Sequence, residues 1–161
     1  MSITHYMSLL ADNQPWNLII FMAIPVIMAE TLTITEFFIV FNRLKSGGIR
    51  TLNKIVGIFD GFYFTGIFIY LFMNAVLPLT QSGGWHTWVD VVAVGFYLSG
   101  VLFLLPIALM ELGILFRGKT DEEKMKIHFI LVSGFLVVAH VAMIFGMVNP
   151  EIVGSMSNMK M

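Results

Sequence analysis

The chain has no cysteine among its 161 residues. This excludes disulfides, thiolate metal centres, iron–sulfur clusters and thiol nucleophiles. Charge is also scarce: 12% of residues are charged and 58% are hydrophobic. A soluble domain is roughly 45–50% apolar, and membrane-spanning segments account for the excess here. The N-terminus lacks a basic region ahead of an apolar run, and residues 1–14 are polar, so no cleaved secretory signal is expected. There is no phosphate loop, nucleophile elbow or zinc-protease motif, and no internal repeat or second domain. The net charge of −1 comes from segregated charges rather than a basic surface, so no nucleic-acid partner is expected.

Four apolar stretches are each long enough to cross a bilayer, which takes about 20 helical residues. They run from about 16 to 42, 52 to 79, 85 to 116 and 126 to 148. Thr120 and Glu123 form a capping-box pattern that starts the last helix at about 121. Ser46-Gly47-Gly48 and Ser82-Gly83-Gly84 read as turns. The short loops predict an all-α integral membrane protein, an antiparallel four-helix bundle in a single domain.

Orientation follows from the cations. Arg43, Lys45, Arg50 and Lys54 cluster in one loop, and Arg117, Lys119, Lys124 and Lys126 in another. Positive loops stay on the cytoplasmic side, which sends both termini outward; Trp16, Trp85 and Trp88 fall at the outer helix ends, as interfacial rings do. The lipid bilayer is the first expected partner, and a larger membrane complex or a homo-oligomer the second. The expected location is the cell membrane, specifically a bacterial cytoplasmic membrane.

Pro15 suits a first helical turn, and Pro78 is expected to end the second helix. Pro25 and Pro106 lie inside helices, where each can free a carbonyl for another partner. Gly57 with Gly61, and Gly95 with Ser99, match the small-xxx-small pattern of close helix approach. Tyr6, Leu9 and Leu10 have helix-like spacing before the first span, which predicts a short helix lying on the outer membrane surface. Residues 149–161 read as a polar tail. Its methionines, Met156, Met159 and Met161, resemble clusters that bind Cu(I), although a tail rich in methionine by composition alone is the preferred reading.

Ionisable groups inside the spans carry the functional information, because a carboxylate near a helix centre costs about 2.5–3.5 kcal/mol on insertion scales. Glu30, Asp60 and Glu111 are the candidate proton-coupling acids. Asp60, Tyr63, Tyr70 and Asn74 share one helical face, as do Asp90, Tyr97 and Glu111, whereas Glu36 is turned about 120° from Glu30. His128 and His140 are the candidate cofactor ligands. Twelve residues separate them by about 18 Å and about 120°, so they cannot hold one ion or one haem together. His140 shares a face with Met143 and Met147, a soft set for a metal, and is expected to be the most consequential histidine. The alternative for His140 is an imidazole hydrogen-bonded to an acid such as Glu30. His5 and His86 lie on the outer side, where a bis-histidine site is allowed.

The fourth span, from Lys126-Ile127-His128 to Ala139-His140-Val141, resembles the histidine-bearing helices of small bacterial four-helix b-type membrane cytochromes. That resemblance implies haem b, with a copper or other transition-metal ion as the alternative. The leading expectation is therefore a small membrane redox or cofactor-binding subunit with proton-coupling carboxylates. A proton-coupled or metal-ion transporter and a noncatalytic accessory subunit are its rivals.

Overall fold

The computed structural model describes residues 4–44, 46–149 and 151. These residues are all-helical, with no strand among them. A short helix, α1 (His5–Ala11), precedes four helices long and apolar enough to span a membrane: α2 (Trp16–Asn42), α3 (Gly48–Ser82), α4 (Trp88–Glu111) and α5 (Asp121–Gly146). They pack in a ring, α2 on α3, α3 on α4, α4 on α5 and α5 on α2. Large apolar side chains such as Phe41, Leu102 and Ile130 are more than 60% exposed on its outside. In water that surface would be untenable, and in lipid it is the ordinary outer face. The protein is therefore a membrane protein with a four-helix architecture.

Both cationic loops lie at one end of the bundle, called here the basic end. The Met tail, Lys45 and Pro150 lie outside the described residues.

Helix boundaries follow from local chemistry. The N-terminus of α5 is fixed by a complete capping box between Thr120 and Glu123. α4 ends at Glu111, earlier than the apolar run predicts, because Gly113 adopts φ +72°. The Ile114 N–H then bonds to the Leu109 carbonyl at 2.9 Å and the Gly113 N–H to that of Met110 at 2.9 Å, a Schellman closure. Pro78 does not end α3. A π-helical turn at Phe72–Val76 carries the helix through it to Ser82.

The same device precedes Pro25, with a π-helical turn at Ile19–Ala23. Proline lacks the N–H that would bond to the residue four back, so the Phe21 carbonyl is released. It accepts the Tyr97 hydroxyl at 2.5 Å, and the neighbouring Ile20 carbonyl accepts Tyr63 at 3.0 Å. Pro25 thus frees a carbonyl that joins α2 to α4.

Close approach of α3 and α4 rests on Gly61, where an added Cβ would lie 2.6 Å from Ala108 Cβ and from the Leu104 carbonyl oxygen. Gly95 has nothing within 4 Å, so the second small-residue pair does not make the contact expected of it.

α1 also departs from expectation. It folds against α4 and α5 at the end opposite the basic loops, burying Tyr6 and Leu10. The Thr4 hydroxyl donates to the Gly146 carbonyl at 2.6 Å, and the Tyr6 ring occupies the space a side chain at Gly146 would need. Burial pushes the Tyr6 hydroxyl up to about 12.

Candidate ion-pathway site

The inward faces of the helices select which ionisable residues enter the bundle. On α2 the buried positions Pro25, Ala29, Leu32, Glu36 and Ile39 recur every three or four residues. This face takes Glu36 inside, at 1% exposure, and leaves Glu30 exposed. On α3, Asn53, Val56, Gly57, Asp60, Gly61 and Phe64 form the buried stripe. Tyr70 and Asn74 fall outside it and are exposed, so the polar face expected on this helix ends near Tyr63. On α5, His128, Val132, Phe135, Ala142 and Gly146 point inward. His140 is consequently exposed, its Nδ1 within 2.6 Å of the Leu136 carbonyl.

These choices assemble a buried cluster near the basic end. His128, at 1% exposure, stands between two carboxylates. Its Nδ1 is 2.8 Å from Glu36 Oε2, and its Nε2 is 3.8 Å from Glu111 Oε1. The Nδ1 contact is short but poorly aligned as a hydrogen bond, so the pairing is mainly electrostatic. Asn53 Nδ2 lies 3.2 Å from Glu36 Oε2, 2.9 Å from Thr35 Oγ1 and 3.3 Å from the Leu32 carbonyl, anchoring α2 to α3. Arg50 reaches Glu111 at 3.9 Å from the surface side. Beside these groups an open groove of about 880 Å³ is lined by Arg43, Arg50, Asp121, Glu122 and Lys126, among others.

Asp60 sits deeper, two turns inward of Asn53 on the same stripe. It is fully buried, and neither carboxylate oxygen has a hydrogen-bond partner among the described residues. A carboxyl in that position needs a proton, a cation or a water. Of the three acids read from the sequence, Asp60 and Glu111 enter the interior and Glu30 does not. Asn53 and Arg50 join the site without having been singled out, and Glu36 joins it although the candidate acids were Glu30, Asp60 and Glu111.

A second polar group lies at the opposite end. Asp90 is fully buried and accepts the His5 backbone N–H at 2.8 Å. Its other oxygen pairs with His5 Nδ1 and lies 3.9 Å from His86 Nδ1. The two imidazoles stack, with centroids 4.2 Å apart and planes 20° from parallel.

His140, Met143 and Glu30 line a cleft of about 100 Å³ between α2 and α5, whereas Met147 is 75% exposed and does not line it. Small-molecule pockets occupy roughly 300–1,000 Å³, and a porphyrin does not fit this cleft. His128 offers no alternative: one nitrogen faces each acid, and an added Cβ at Gly57 would lie 3.9 Å from Nε2. His128 therefore lacks the open face that haem b requires, whereas His140 is exposed on the outside of α5.

No curated protein and no solved structure matches the chain. Residues 1–161 match a family model along their whole length, and the chain belongs to that family, described as a family of unknown function, DUF6803.

Proposed function

We propose that the chain is a small proton-coupled or metal-ion transporter of the cell membrane, with its basic end on the cytoplasmic side. The observation that carries this reading is the buried sequence of exchangeable groups Glu111, His128 and Glu36, reached from the groove past Arg50, with Asp60 deeper in the bundle and unpartnered among the described residues. An imidazole between two carboxylates accepts a proton on one nitrogen and releases one from the other. Glu111 is the acceptor nearest the aqueous groove, His128 the exchange group, and Glu36 the inner acceptor held in place by Asn53. Asp60 provides an interior position where a proton or cation satisfies an otherwise orphaned carboxyl. Intramembrane acids and histidines with this accessibility mark ion pathways.

Proteoliposomes containing a pH-sensitive dye test the reading. Under an imposed potential, or under a Zn²⁺ or Mn²⁺ gradient, wild-type vesicles should move protons or metal faster than empty vesicles. Asp60→Asn and His128→Gln should reduce the rate at least tenfold with the fold retained by circular dichroism. Wild-type vesicles as tight as empty ones under every gradient, or unchanged rates in both variants, would overturn it.

A further inference from the structure

We propose that His5, His86 and Asp90 form a binding site for a first-row divalent transition-metal ion at the end of the bundle opposite the basic loops. The site is distinct from the pathway cluster and does not depend on transport. Its three ligand atoms, one from each residue, lie within 4.8 Å of one another. In a tetrahedral zinc site with bonds of about 2.0–2.1 Å, ligand atoms are roughly 3.3 Å apart. Asp90 and His5 are already closer than this, and Asp90 Oδ2 is 3.9 Å from His86 Nδ1. Metal binding draws the His86 side chain, 47% exposed, inward and separates the Asp90–His5 pair to ligand spacing.

The arrangement is better explained by a metal than by a simple ion pair. Asp90 is fully buried, so its carboxylate requires positive charge or several donors. One protonated imidazole would be sufficient, yet two are stacked with both Nδ1 atoms turned toward the same oxygen. Two imidazolium rings in that stack would repel. A dipositive ion satisfies the carboxylate while leaving both rings neutral, the form in which histidine binds metal. The adjacent Thr87 hydroxyl is buried without a hydrogen-bond partner among the described residues, a ready acceptor for a water completing the coordination. Two imidazoles and one carboxylate select borderline cations such as Zn²⁺ or Co²⁺ over Ca²⁺ and Mg²⁺, which take oxygen ligands. Bound metal would tie α1 to the start of α4, since His5 belongs to one and Asp90 to the other.

Titration of the detergent-purified, metal-stripped full chain with Zn²⁺ by calorimetry, and with Co²⁺ by visible absorption, tests the site. The wild type should bind one ion per chain and show Co²⁺ ligand-field bands. His86→Ala removes a half-exposed ring and should weaken binding at least tenfold without loss of helicity, and Asp90→Asn should abolish the bands. Absence of binding to the wild type would reduce the cluster to a structural strap and overturn the proposal. Unchanged binding in His86→Ala, or loss in His140→Ala instead, would overturn it as well. Because the readout is binding rather than flux, a failed transport assay leaves this result interpretable.

Discussion

On α5 the twelve-residue separation of His128 and His140 allows only one of them to face the bundle axis. The structure turns His128 inward and leaves His140 exposed. His128→Ala leaves Glu36 buried without its imidazole partner and Glu111 without its inner neighbour. Breaking a buried pair by removing one member costs about 3–5 kcal/mol. His140→Ala removes an exposed ring and should remain within about 0.5 kcal/mol of wild type. Thermal unfolding in one detergent checks the contrast, and adding Glu36→Ala to His128→Ala should recover part of the loss. Equal effects of the two histidine substitutions would show that the buried pairing does not govern stability.

Among the elements, four helices were legible because each exceeds the bilayer's length requirement and is bounded by glycine, cation or capping signals. Their ends were less legible. Gly113 stops α4 through its left-handed conformation, which an apolar count cannot register. Their rotation was least legible: α2 is apolar nearly all round, so periodicity alone did not choose between the Glu30 and Glu36 faces, and packing against Asn53 and His128 did. The far-end cluster was only partly legible: His5 and His86 were placed on one side, but α1 was read as lying on the membrane rather than folding onto the bundle, so Asp90 was not joined to them. Close helix approach provides a test at this scale. Gly61→Leu places a side chain where backbone and Ala108 already stand, and should destabilise by about 1–3 kcal/mol or prevent assembly. Gly95→Leu enters open space and should be tolerated. Denaturant unfolding of the two variants separates them, and equal losses would argue against the α3–α4 contact at Gly61.

For the whole molecule, the two cationic loops at one end and the tryptophans at the other define an axis, and the positive-inside rule gives its expected sense in the membrane. Cysteines introduced by Ser46→Cys and Thr120→Cys should resist an impermeant thiol reagent in intact cells, while Ser82→Cys should react. The native chain has no cysteine to confuse the labelling. The reverse pattern would invert the orientation and exchange the aqueous sides of both polar clusters.

The Thr4 hydroxyl and the Gly146 carbonyl meet across the bundle at 2.6 Å, so the starts of α1 and the end of α5 are neighbours in space. A short linker joining Thr4 to Gly146 has little distance to cover, and opening the chain between Gly83 and Gly84 places the new ends at the same end of the bundle as that junction. The contacts of the ring do not depend on which helix is synthesised first, so a circular permutant cut there should retain the native arrangement of its spans.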